Sequence, residues 1–454
     1  MKNPSSLPDC EIPANNRIPR TWLWAAVVAL AVRLVVVGFV YQGFLDPGRD
    51  HWEFAFETGK IARSIVTGHG FSNPYYGGNT GPTAEIAPVF PYILAGIMAV
   101  FGIYTKASAL AMLSLNSLFS ALTCVPIFFV AKRSFGLWEA RWAAWIWAFF
   151  PYAVYFSADS MWDHALTALL LTLLLWIALY LEDSTSLWAW AGFGLLWGFS
   201  ALTCPVVLGT LPFLVGWVCY RLHRRGRSWR VPAATAAFAV LVTLTPWLIR
   251  NYRAFHQPVF LKDGLPLAFL AGNFGNTLHW WNGSVDPCGN AAEMAEFQRV
   301  GEQAYMAEKR RLAIAVLQSN PQTFAWRSLR RVVYMWTGYW SFRPEYLREE
   351  PFDPPNILFC TAFTILAIFG WSKALRRAPE KAMPYAVVLL VYPLVYYFTH
   401  SDIAYRHPLD PEIVILGSYA VVCWLRARES RAIQPLVQEA ELQHSITSRT
   451  GAAY

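Results

Sequence analysis

One pattern repeats along this chain: an apolar run of about 20 residues, a short polar break, then another apolar run. The runs lie at 21–42, 108–131, 138–157, 164–181, 187–204, 206–221, 232–249, 356–372, 383–399 and 411–426. A helix crossing a bilayer needs about 20 mostly apolar residues, and helices are the way such runs satisfy their own backbone polar groups in lipid. The pattern therefore predicts an all-α polytopic membrane protein of about ten transmembrane helices. The run 88–104 differs. It is short and opens with Pro88 and Pro91, so it reads as a re-entrant or interfacial element. Composition agrees: 56% of residues are hydrophobic and only 15% charged, against roughly 25% charged in a soluble domain.

Charge sets the orientation. With the N-terminus (Lys2, Arg17, Arg20) in the cytoplasm, the basic groups Lys132–Arg133, Arg221–Arg230, Lys373–Lys381 and Arg426–Arg431 all fall inside, as the positive-inside tendency requires. Only the loop after 181, with Glu182 and Asp183, goes against it. The net charge of +8 thus speaks for membrane orientation rather than nucleic acid. The chain divides into an N-terminal transmembrane module, 1–249, whose outer loop is 43–107; an extracytoplasmic, mostly helical region, 250–355; C-terminal membrane helices, 356–430; and a polar tail, 431–454, expected to be disordered. In the outer region, Ala291 to Ser319 has helical spacing, and Pro321 ends that helix or begins the next. The first run near Thr21 lacks a small-residue cleavage motif, which argues against a cleavable signal peptide. Seven cysteines without a CxxC pair imply neither a disulfide framework nor a zinc site.

Acids collect where the first span ends, in Gly48-Arg49-Asp50-His51-Trp52-Glu53-Phe54-Ala55-Phe56-Glu57. If the segment is helical, Asp50, Glu53 and Glu57 share one face and Trp52, Ala55 and Phe56 lie toward lipid. Asp50 and Glu57 are candidate catalytic carboxylates, Lys60 a candidate phosphate contact, and Glu85 a candidate ligand for a divalent cation. A solvated interfacial helix is the competing reading. Asp163 opens the next long apolar run, either as a second catalytic acid or as a partner of the helix dipole. Arg250 and Arg253, just beyond a span, and Arg406 and His407, in the last outer turn, are candidate lipid-phosphate contacts; interfacial anchoring is the alternative for the first two. Arg327, Arg330 and Arg331 add positive charge near Trp326, Trp336 and Trp340. The glycine-rich run Gly68–Gly81 lacks the Lys-Ser or Lys-Thr of a phosphate-binding loop.

Taken in order, several motifs resemble the GT-C superfamily of polytopic glycosyltransferases, in particular its branch of protein O-mannosyltransferases, aminoarabinose transferases and rhizobial lipopolysaccharide galacturonosyltransferases. They are the first-loop acid before Ala62, Gly68-His69-Gly70-Phe71-Ser72, Gly81-Pro82-Thr83, Ala87-Pro88-Val89-Phe90-Pro91, Thr245-Pro246-Trp247-Leu248-Ile249-Arg250-Asn251-Tyr252, Gly272-Asn273, Gly301-Glu302-Gln303-Ala304-Tyr305 and Tyr405-Arg406-His407-Pro408-Leu409-Asp410-Pro411. The resemblance implies that Asp50 is the catalytic base, that Asp163 (with Asp159 as rival) is a second acid, and that a divalent metal ion sits near Glu85 in some relatives. It implies a polyprenyl-phosphate-sugar donor, an extracytoplasmic glycan, lipid or protein acceptor, and inversion at the anomeric carbon in a bacterial inner membrane. One departure stands out: relatives carry adjacent acids at the first site, whereas here His51 follows Asp50. A lipid-carrier flippase or other transporter is the alternative. Such proteins place charges at mid-membrane on broken helices, whereas these acids sit at the outer rim.

Overall fold

A computed structural model describes residues 20–49, 52–275, 281–351 and 353–429. Among them there are helices and one isolated bridge, Ser72 to Pro82, but no β-strand. Eight helices are long and apolar enough to cross a membrane: Thr21–Leu45, Lys106–Ser134, His164–Leu181, Pro205–Arg224, Arg230–Phe255, Asp353–Arg377, Pro379–Phe398 and Ile403–Glu429. Leu187–Thr203 is a shorter apolar helix. The tenth expected span, 138–157, is two helices, Leu137–Ala148 and Pro151–Ala158. The run 88–104 forms Val89–Phe101, about 20 Å at 1.5 Å per residue, short of the ~30 Å hydrocarbon core.

The break at Pro151 explains an otherwise costly residue. Pro151 has no N–H to offer the Trp147 carbonyl, which keeps only a 3.2 Å bond from Phe150 N, and the Ala148 carbonyl lies at the unsatisfied end of the helix. Arg33, fully buried in the first span, takes both carbonyls. Its Nη2 donates to Trp147 O (3.2 Å), its Nη1 to Ala148 O (3.0 Å), and its Nε to Ser120 Oγ (3.0 Å). Elsewhere the bundle closes through small residues. Gly194 and Gly198, one turn apart, lie directly against Ala236 and Thr243 of Arg230–Phe255; a Cβ at Gly198 would stand 2.5 Å from Thr243 Cβ. This is the small-xxx-small contact that lets membrane helices approach closely.

The two ends of the bundle differ in charge. At one, Arg133 and Arg221 hold Glu182 at 3.1 and 2.9 Å, and Arg133 and Arg225 ion-pair with Asp183. Arg426 pairs with buried Glu139 at 3.1 Å. The acidic loop that opposed the charge trend is thus neutralised by the basic loops around it. The opposite end carries the region expected to be extracytoplasmic, which follows helix Arg230–Phe255. Here the expected helix 291–319 is two, Ala291–Val300 and Glu302–Ser319, divided at Gly301 in a left-handed conformation (φ 81°). Pro321 opens the next helix, Pro321–Thr337, capped by the Asn320 side chain accepting from Thr323 N at 3.2 Å.

Candidate active site

The first outer loop does not form one continuous helix. Asp50 and His51 lie outside the described residues. Glu53, Phe54, Ala55 and Phe56 all have positive φ (47 to 65°), a left-handed stretch that costs energy for residues with a Cβ. Helix Glu57–Val66 begins only after it. The expected common face of Glu53 and Glu57 on one helix is therefore corrected, and so is the lipid-facing side: Ala55 is fully buried and Trp52 stacks on Tyr76 at 5.9 Å. The turn folds back onto its own helix, and Gly59 lies directly under the Glu53 carbonyl, where no Cβ fits.

Glu53 and Lys60 nevertheless meet. Buried Lys60 has its Nζ 3.8 Å from Glu53 Oε2 and 3.8 Å above the Tyr76 ring, with no hydrogen bond. Burial lowers its pKa, and the charge of Glu57 opposes that shift. Burial raises the Glu57 carboxyl, to which Cys288 Sγ donates at 3.5 Å. Glu85 is raised well above the usual range by burial and then by the Glu57 charge; one of its oxygens has no hydrogen-bond partner. Asp286, also buried, is pushed up to about 6 by burial and by Glu57. Carboxylates from the first loop and the large outer region thus crowd one site, each favouring the others' neutral form.

Asp163 stands at the N-terminus of helix His164–Leu181 without a side-chain capping bond, and burial pushes its carboxyl up to about 6. Thr167 Oγ1 donates to Oδ2 at 3.2 Å, and His164 Nδ1 is 3.9 Å from Oδ1. Its rival, Asp159, ion-pairs with Arg49.

Sequence reasoning missed Lys262. Its positive charge bears on Glu57 of the first outer loop, on Asp163 of the second outer turn and on His400 of the last. The backbone on either side is pinned: Leu261 O accepts from Trp247 Nε1 at 2.8 Å, and Asp263 N donates to Ala84 O at 3.0 Å. The available signal was slight, a single lysine between 250 and 308. His400 Nε2 is 2.8 Å from the Tyr405 hydroxyl, and burial drives its pKa down to about 3, so it stays neutral.

The arginines divide differently from expectation. Arg250 Nη1 donates to Thr83 O at 2.7 Å and to Asn251 Oδ1 at 3.0 Å, and the guanidinium stacks on Trp247 at 4.8 Å. It clamps the loop that carries Glu85. Arg253 is exposed. Arg406 and His407 are fully buried beside Asp410, at 3.6 and 3.1 Å, and His407 stacks on Trp147 at 5.6 Å. The 3₁₀ turn Ile403–Leu409 turns both side chains into the core, where the Arg406 nitrogens have no hydrogen-bond partner. Among the described residues no group of three His, Cys, Asp or Glu side chains is placed to hold a metal ion.

Residues 85–249, under half of the chain, match the family model described as dolichyl-phosphate-mannose-protein mannosyltransferase. No protein of curated function matches in sequence. The oligosaccharyltransferase AglB of Archaeoglobus fulgidus, solved with an inhibitory peptide and a dolichol-phosphate, aligns with 92% of this chain and 51% of its own at 13% identity, TM-score 0.50. The same enzyme with Zn and sulfate aligns at 12% identity over 92% and 51% of the two chains, TM-score 0.50. ArnT of Cupriavidus metallidurans, bound to undecaprenyl phosphate, aligns over 92% of this chain and 80% of its own at 15% identity, TM-score 0.39. The chain spans about half the length of the oligosaccharyltransferase it matches. At these identities the likeness is one of fold alone, a polytopic bundle of membrane helices.

Proposed function

We propose that this protein is a membrane glycosyltransferase. It moves a sugar from a polyprenyl-phosphate donor to a glycan, lipid or protein acceptor on the outer face of a bacterial inner membrane. One observation carries the reading: Cys288 Sγ of the large outer region donates to Glu57 Oε1 of the first outer loop at 3.5 Å, and the charge of Lys262 bears on both Glu57 and Asp163. Carboxylates and a basic side chain thus gather at the end of the bundle opposite the arginine-rich loops. The positive-inside tendency makes those loops cytoplasmic.

In the proposed step, an acceptor hydroxyl attacks the anomeric carbon. Its proton passes to a carboxylate, the bond from that carbon to the phosphate oxygen breaks, and the polyprenyl phosphate leaves with the electron pair. A single displacement inverts the anomeric centre. Asp50 is the proposed base, and Asp163 positions the acceptor. A carboxyl titrating near 6 is mostly ionised at neutral pH, so Asp163 is itself fit to accept a proton. Lys262 and Lys60 face the charge that develops on the departing phosphate, and cations fixed there favour the transition state.

The test is transfer by wild-type protein in membranes from a panel of radiolabelled polyprenyl-phosphate sugars. Label moving to an acceptor supports the proposal. No transfer from any donor, together with transbilayer movement of the labelled lipid, would establish the transporter instead.

A further inference from the structure

Helix Pro321–Thr337 has two unlike faces. On one, Arg327 and Arg331 donate to the carbonyls of Asn273 and Gly272, and Arg331, Tyr334 and Met335 are buried. The other bears Trp326 (66% exposed), Leu329 (53%) and Val333. With Trp340, Phe342 and Arg343 just beyond the helix, this second face walls a cavity of about 710 Å³.

The depth of this groove is fixed by its neighbour. Thr364 Oγ1 donates to Trp336 O at 2.6 Å and Thr361 Oγ1 to Thr337 O at 3.4 Å. Both threonines lie in the membrane helix Asp353–Arg377, about 12–16 Å along it from Asp353 at 1.5 Å per residue. The helix therefore descends from the outer end into the outer leaflet, with its apolar face still uncovered.

Charge at the groove is of one sign. Arg330 lies over Trp340 at 4.1 Å and donates from Nη2 to its carbonyl at 2.8 Å. Burial lowers its pKa, and the nearby charges of Arg343 and Arg327 add to this. Arg343 is exposed. Among the described residues no carboxylate forms an ion pair with either Arg330 or Arg343. Two guanidiniums above an apolar trough at headgroup depth match an anionic phosphate joined to acyl chains. A soluble peptide or glycan would not reach the floor.

We propose that this groove binds an anionic phospholipid of the outer leaflet. Its phosphate lies between Arg330 and Arg343, and an acyl chain runs along Trp326, Leu329 and Phe342. None of the acids around Lys262 lines this groove, and its binding does not depend on the transfer reaction.

The experiment measures lipid retained by the full-length protein from nanodiscs of phosphatidylcholine containing phosphatidylglycerol, read by native mass spectrometry. Wild type should retain phosphatidylglycerol in preference to phosphatidylcholine. That preference should fall about fivefold for each arginine removed, as expected for a basic side chain at an anionic surface, in R343Q and in R330Q/R343Q. R343Q alters only an exposed side chain, so it keeps the test open if the double variant folds poorly. Equal retention of both lipids by wild type would overturn the proposal. So would an unchanged preference in R343Q, or displacement of phosphatidylglycerol by polyprenyl phosphate at the same arginines.

Discussion

Glu302 reaches across 218 residues of sequence to accept a hydrogen bond from the backbone N–H of Ala84 at 2.6 Å. With Arg250 on Thr83 O and Asp263 N on Ala84 O, it ties the large outer region to the loop that carries Glu85. The outer region is thus a wall of the candidate site.

Arg250 is accordingly expected to act through that loop. Arg250→Lys loses the planar stack on Trp247 and the paired contacts to Thr83 and Asn251. It should lower thermal stability by about 1–3 kcal/mol and reduce kcat while leaving the donor KM nearly unchanged. A large rise in donor KM with unaltered stability would make it a phosphate contact instead.

Asp163 sets a pH limit. Its carboxyl is pushed up to about 6, so transfer that uses the ionised form should fall as pH drops through about 6. The sign for stability is opposite. The folded pKa of this acid lies above its unfolded value of 3.8, so folding is penalised as pH rises from about 4 to 6, and the penalty is complete above that. Asp163→Asn should therefore be as stable as wild type at neutral pH, or more so, by an amount on the order of 1–3 kcal/mol. Thermal melts at pH 5 and pH 8 check this: a stability gain that is larger at pH 5 would contradict it.

Lys262 lowers the Asp163 pKa. Lys262→Met should cut transfer by about 10- to 100-fold, the worth of one charge-assisted contact, and move the acid limb of the pH profile upward. A fall in rate with the limb unmoved would separate Lys262 from Asp163.

Asp50→Asn should lose about 10²–10⁴-fold in rate, the usual contribution of a general base, with expression and insertion retained. Unchanged transfer would move the base to Glu57 or Asp163.

The spans were legible because lipid imposes one rule on every residue that crosses it. The outer acids were legible because charges at the rim of a span are few. What escaped the sequence was tertiary. Periodicity put Glu53 and Glu57 on one helix, but the left-handed residues before Glu57 were set by packing on Gly59. Arg406 and His407 looked like outer-turn cations, yet Asp410, one turn on, draws both into the core. Lys262 belongs to the site only because the loop around it is fixed by Trp247 and Ala84, contacts that no local pattern encodes.

The most direct measurement compares initial rates of sugar transfer from a polyprenyl-phosphate donor by wild type and Asp163→Asn in the same membranes at saturating donor. The account predicts measurable transfer by wild type and a loss of about 100-fold in the folded, inserted variant, the cost of a misplaced acceptor. Equal rates in the two proteins would contradict it.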